Sequence, residues 1–137
     1  MKPGERKGKR MCYVIIGNST AAVGAVEGIR RFDREKPIVM ISDEPYHTYS
    51  RPLISYYLGD RVTEDKMYYR DKAFYERNKV KAMLGIKAES INVEQKEVVL
   101  NDKSRIPFEK LLIATGGKPF VPPIQGLDKE NVFNFIK

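Results

Sequence analysis

Cysteine, histidine and tryptophan are nearly missing from these 137 residues: Cys12 and His47 stand alone and there is no tryptophan. A single cysteine excludes an internal disulfide, a Cys-x-x-Cys redox pair and a cysteine-built metal centre within the chain. With only one histidine besides, the usual nucleophile–base sets of hydrolases cannot be assembled. Cys12, between Met11 and Tyr13 at the start of an apolar run, reads as a buried apolar residue. His47, in a stretch of prolines and polar aromatics, reads as an exposed loop side chain. No apolar run approaches the ~20 residues needed to cross a bilayer, so no membrane partner is expected and the default location is cytoplasmic.

What is abundant is charge, 31% of residues, with a formal balance of +7. Residues 1–10 hold five basic and one acidic side chain, so more than half of that excess belongs to a basic tail. The basic residues beyond Arg10 are dispersed among acids, without the concentrated basic face and interleaved aromatics of a nucleic-acid binder. No nucleic-acid partner is expected. A mildly basic surface suits an anionic small ligand instead.

The apolar pattern predicts a strand over Cys12–Ile16 and a helix from Ser19 to Phe32, where Ala21, Ala22, Ala25, Val26 and Ile29 recur at helical spacing. Pro37 ends that pattern, and Ile38–Ile41 reads as a second buried strand, giving a βαβ unit with parallel strands. After an irregular stretch from Pro45 to Pro52, a short helix is expected over Leu53–Leu58, closed by Gly59, and another over Tyr69–Asn78. Val80–Leu84 reads as a third parallel strand, Ala88–Val93 and Glu97–Asn101 as an antiparallel pair, and Leu111–Ala114 as a last apolar strand. The aromatics Tyr56, Tyr57, Tyr68, Tyr69, Phe74 and Tyr75 read as packing residues. The expected architecture is α/β, a Rossmann-like parallel sheet with a small antiparallel hairpin or meander. Residues 1–10 form the tail, 11–116 the domain and 117–137, rich in proline, a linker.

Two strand ends carry the chemistry. Gly17-Asn18-Ser19-Thr20-Ala21-Ala22 follows the first strand, as a turn does when it aims backbone N–H groups at a pyrophosphate. In a dinucleotide turn the first glycine bends the chain, the second admits phosphate close to backbone, and the third position is small so that helix and strand touch. Gly17, Ser19 and Ala22 occupy those places, with a serine hydroxyl where the second glycine would be. Read alone, the stretch equally suits an ordinary helix start capped by Asn18 or Ser19. Asp43 and Glu44, just beyond the second strand, are placed to accept hydrogen bonds from an adenosine ribose, although acids are also common turn residues. The late corner Thr115-Gly116-Gly117 supplies the second strand end.

Taken together, Gly17-x-Ser-x-x-Ala, Asp43-Glu44, Tyr49-Ser-Arg-Pro-Leu-Ile-Ser and Ile113-Ala-Thr-Gly-Gly-Lys-Pro resemble the FAD-dependent pyridine nucleotide-disulfide oxidoreductase superfamily over residues 11–137. Within it the chain looks most like the rubredoxin and ferredoxin reductases and the flavin part of the assimilatory nitrite reductase large subunit. The resemblance implies the first segment of a discontinuous FAD domain, with an NAD(P)H-binding domain and a returning FAD segment supplied elsewhere. By resemblance, Gly17 through Ala22 would hold the pyrophosphate and Asp43 and Glu44 the ribose. Ala88 would meet the adenine edge through its backbone, and Thr115 and Gly116 would close over the ADP portion. Arg51, with Pro52 beside it, would approach the pyrophosphate and the flavin side, where a guanidinium fork suits phosphate oxygens.

The implied activity is electron transfer from NAD(P)H through FAD to an acceptor, which could be an acceptor protein or partner subunit; this segment alone is not expected to turn over. Where relatives carry a lysine against the flavin this chain has Tyr56, and residues 43–60 hold none of the redox cysteines of flavin oxidases and disulfide reductases. That composition favours delivery of electrons over peroxide or disulfide chemistry. Two other readings remain open: a small NAD-binding domain, and a non-catalytic subunit or scaffold that keeps the fold.

Overall fold

A computed structural model describes residues 11–133; the basic tail lies outside the described residues. Six strands form one sheet in the order β3-β2-β1-β6-β5-β4. They are β1 (Cys12–Ile16), β2 (Ile38–Ser42), β3 (Val80–Leu84), β4 (Ala88–Asn92), β5 (Glu97–Leu100) and β6 (Arg105–Ile113). β1 pairs in parallel with both β2 and β6, and β2 with β3, while β4, β5 and the start of β6 form an antiparallel meander. The helices are α1 (Thr20–Phe32), α2 (Ile54–Leu58) and α3 (Phe74–Arg77).

The apolar strands are uninterrupted because both of their faces are covered. Alternation sends Ile15, Ile38, Met40 and Val80 to one face, where Ala22, Val23 and Val26 of α1 and Phe74 of α3 pack on them. Val14, Val39 and Ile41 point the other way, onto Cys12, Val98, Leu100 and Phe108. Each fully buried Val, Leu, Ile, Phe or Met contributes roughly 1.5–3 kcal/mol relative to an exposed one.

β6 is longer than the apolar run Leu111–Ala114 indicates, because it serves two partners. Arg105–Pro107 pairs antiparallel with β5, and Lys110–Ile113 pairs parallel with β1. The register slips between Cys12 and Tyr13, passing over Glu109, whose carboxylate pairs with Lys36. Pro107 and the charged Glu109 and Lys110 break the alternation that would have revealed the strand in sequence.

The helix expected over Tyr69–Asn78 shrinks to Phe74–Arg77. Tyr68 and Tyr69 are drawn into extended pairing with the segment before Arg51, through the Tyr49–Tyr68 bridge and the Tyr69 N–H to Thr48 carbonyl bond of 3.0 Å. Asp71 holds the turn that leads into the short helix, its carboxylate accepting the Ala73 N–H at 3.0 Å. The expected helix over Leu53–Leu58 divides into a 3-10 turn, Arg51–Leu53, and α2. Gly59 caps α2 at a φ of −94°, and Asp60, not the glycine, takes the left-handed conformation at +54°.

α1 and the β1–β6 pair border an apolar groove of about 510 Å³, lined by Tyr13, Ile15, Ala25, Ile29, Phe32 and Leu112. Phe32 is 94% exposed. The edge of β6 beyond Pro107 that faces away from β1 has no strand partner among the described residues. Residues 117–133 carry neither helix nor strand.

Candidate functional site

The carboxyl ends of β1, β2 and β6 meet at one end of the parallel sheet, where ligands of open α/β sheets bind. Gly17 has a φ of +125°, and a Cβ built there would lie 2.2 Å from the Ala114 carbonyl oxygen and 3.3 Å from the Thr115 nitrogen. Only glycine lets the two strand ends approach this closely. Ala114 N–H donates to the Ile16 carbonyl at 2.7 Å and fixes the approach, while Gly17 N–H is held on β2 by the Ile41 carbonyl at 2.8 Å. The structure therefore brings together the two corners singled out in sequence, about a hundred residues apart.

Ser19 is the N-cap of α1, but its hydroxyl does not cap the helix. It instead accepts a hydrogen bond from Arg51 Nε at 3.4 Å. The first turn, Thr20 to Ala22, contains no acidic side chain, and its leading amides take no side-chain cap from Ser19. A helix start of this kind fits a phosphate group at the positive end of the helix dipole.

Glu44 sits beside this turn, linked to the continuing chain by the Gly85 N–H to Glu44 carbonyl bond of 3.1 Å. Its carboxylate accepts from Arg51 Nη2 at 2.9 Å and from the Tyr49 hydroxyl at 2.8 Å, while Arg51 Nη1 donates to the Tyr49 oxygen at 3.1 Å. The guanidinium thus spans from the acid expected at the ribose to the serine expected at the pyrophosphate. Burial first, and then the bond to Glu44, push the Tyr49 phenol up to about 12. Asp43 is exposed beside Glu44. Pro52 lies exposed in the 3-10 turn that follows Arg51. Thr115 and Gly116 are exposed just past β6, Gly116 with a φ of +71°. Ala88 is half-buried at the start of β4, opposite Leu100 and packed on the second core.

Two residues escape the sequence reading. His47 is not the exposed side chain expected: its ring packs 4.6 Å from that of Tyr75 and 5.5 Å from that of Tyr68, and its Nε2 is buried. The aromatic crowding that hides it comes from residues more than twenty positions away. Tyr75, read as packing alone, donates its hydroxyl proton to Asn18 Oδ1 at 2.7 Å and accepts the Thr48 N–H at 3.0 Å. Asn18 Nδ2 donates to the Tyr46 carbonyl at 3.1 Å. No local pattern pairs a tyrosine with an asparagine fifty-seven positions away; only the fold does so.

The family profile described as pyridine nucleotide-disulphide oxidoreductase matches residues 11–137. The chain is 34% identical over 116 residues to the NADH-dependent phenylglyoxylate dehydrogenase subunit epsilon of Aromatoleum evansii, covering 85% of this chain and 28% of that subunit. The covalent putidaredoxin reductase–putidaredoxin complex matches with a TM-score of 0.78 at 26% identity, over 87% of this chain and 29% of the other. A NAD-dependent persulfide reductase from A. fulgidus matches with a TM-score of 0.78 at 30% identity, over 88% of this chain and 24% of the other. The chain thus spans less than a third of the length of each of these relatives. On the profile match and the shared sheet, the chain belongs to the pyridine nucleotide-disulphide oxidoreductase family.

Proposed function

We propose that this chain is the ADP-gripping first segment of the FAD site in an NAD(P)H-dependent oxidoreductase. The observation that carries the reading is the close meeting of Gly17 with Ala114–Thr115 at the uncapped start of α1. The turn from Gly17 to Ala22 receives the pyrophosphate on amides that follow Gly17, whose own N–H is held by the Ile41 carbonyl; Asp43 and Glu44 accept the ribose hydroxyls, and Thr115 and Gly116 cover the ADP portion. Arg51 adds a charge-assisted donor to the phosphate oxygens, with Pro52 fixing the turn behind it. Ala88 lends its backbone to the adenine edge. FAD, when bound, supplies the two-electron chemistry between reduced nicotinamide and an acceptor; the residues described here bind and orient it.

Residues 11–116 form the binding unit and 117–137 lead toward an NAD(P)H-binding domain. The apolar groove beside α1 and the open β6 edge support a chain that works with further polypeptide. A subunit of a larger dehydrogenase and a reductase joined to its redox partner among the relatives support an electron-acceptor protein or partner subunit here. We place the protein in the cytoplasm; among the described residues no helix is long and apolar enough to cross a membrane.

Titration of the purified chain with FAD, followed by quenching of flavin fluorescence and by calorimetry, tests the proposal. Saturable binding of FAD that exceeds binding of NAD supports it. Preference for NAD would favour a small NAD-binding domain, and no dinucleotide binding by folded chain would favour a scaffold.

A further inference from the structure

We infer that Tyr75 is a positioning residue for the phosphate turn, acting through Asn18 and Thr48; the inference rests on the FAD-site reading above. Asn18 occupies the second position of the turn, yet its side chain faces the protein. Nδ2 donates to the Tyr46 carbonyl and Oδ1 accepts from Tyr75, so both ends of the amide are committed. The direction of this relay is fixed. The Thr48 N–H can only donate, so it takes a lone pair on the Tyr75 oxygen and leaves the phenol proton for Asn18. The Tyr46 carbonyl can only accept, so it holds Nδ2 on its own side and turns Oδ1 toward the phenol.

The ring of Tyr75 is anchored independently. It packs on the core around Phe74, whose ring centroid lies 5.6 Å away, and on His47 at 4.6 Å. Burial pushes its phenol up, which keeps it a neutral donor. From this fixed point the relay ties the 46–48 segment to the phosphate turn, and that segment leads directly into Tyr49 and Arg51. Its other side is held by the Ser50 N–H to Met67 carbonyl bond of 2.7 Å and the Tyr69 N–H to Thr48 carbonyl bond of 3.0 Å. One hydroxyl therefore sets both the backbone path of Gly17–Ser19 and the start of the strap that delivers Arg51. Binding sites whose donors are held before the ligand arrives spend less of the interaction on ordering.

Tyr75→Phe keeps the ring and removes the relay, leaving the Thr48 N–H and Asn18 Oδ1 without their partner. The expected result is an FAD dissociation constant raised about tenfold in protein that remains folded, and a Thr48 amide that loses its hydrogen-exchange protection. Asn18→Ala weakens FAD binding by a similar factor, and the double variant binds no more weakly than either single one, because both remove the same relay. A purely structural role would lower the unfolding midpoint and leave the affinity of the folded fraction unchanged. That outcome, or additive losses in the double variant, overturns the inference. Failure of the folded, unaltered chain to bind FAD overturns the site reading and this inference with it, and is distinguished because it appears before any substitution.

Discussion

Gly17→Ala puts the closest contact in the site to the test. The new Cβ would sit 2.2 Å from the Ala114 carbonyl oxygen and 2.7 Å from its carbon. Both are backbone atoms held in the β1–β6 pairing, so no side chain can swing aside to make room. A φ of +125° is itself glycine territory, and an alanine kept there costs about 1–3 kcal/mol. If the strand ends part instead, the Ala114–Ile16 bond that joins them goes, at about 1 kcal/mol. Strain and the lost bond together give a destabilisation of about 2–4 kcal/mol. That is a large share of the ~5–15 kcal/mol typical of a domain. Urea denaturation reads the loss, and hydrogen exchange at the Ala114 amide shows whether the strand ends separated. Gly116→Ala is the internal comparison: its φ of +71° carries strain but nothing lies within 4 Å of a Cβ there, so its cost is only about 1–2 kcal/mol. A Gly17→Ala chain as stable as the unaltered one, with the Ala114 amide still protected, would refute the close approach on which the cradle depends.

Gly24 lies in the interior of α1 with open space around a built Cβ, so Gly24→Ala is expected to stabilise the chain by about 0.5–1 kcal/mol in the same urea assay. The Tyr49 phenol, pushed up to about 12, should ionise above the ordinary tyrosine range in an ultraviolet titration, and Glu44→Gln should bring it down. Because its folded value lies above the ordinary one near ~10, its contribution to stability is complete below that value and is lost as pH rises through the folded value. Asp33 behaves oppositely: the Lys36 and Glu35 backbone N–H groups, at 2.9 and 3.1 Å, hold its carboxyl below the usual range. Its contribution is present above the ordinary carboxylate pKa and is lost as pH falls through the depressed value, and Asp33→Asn should flatten that part of the acid unfolding curve.

Much of the fold was legible because the responsible forces are local. The doubly covered strands β1 and β2 announce themselves as apolar runs, β3 follows as an apolar stretch broken by the exposed Lys81, and the small residues of α1 mark the face that touches the sheet. The β4–β5 pair also follows its sequence pattern. What stayed hidden depends on partners distant in the chain. β6 changes partner between Pro107 and Phe108 and slips register at Glu109, and a mixed environment leaves no single periodicity to read. The helix expected from Tyr69 loses its first turn to pairing with the Thr48–Ser50 segment, a tertiary demand that overrides local preference. In the site, Gly17 and Thr115 could be paired by reading two strand ends as neighbours. The Glu44–Arg51–Tyr49 triangle and the Tyr75–Asn18 bond could not, since they arise from where one loop crosses the helix start.

The most direct test of the central claim is a nitrogen-15 NMR titration of the chain with FAD, reading every backbone amide. The cradle predicts that the amides of Gly17 through Ala22 and of Thr115 and Gly116 shift together along one binding curve, with Glu44 following. Shifts confined to another surface, or to only one of the two corners, would contradict it.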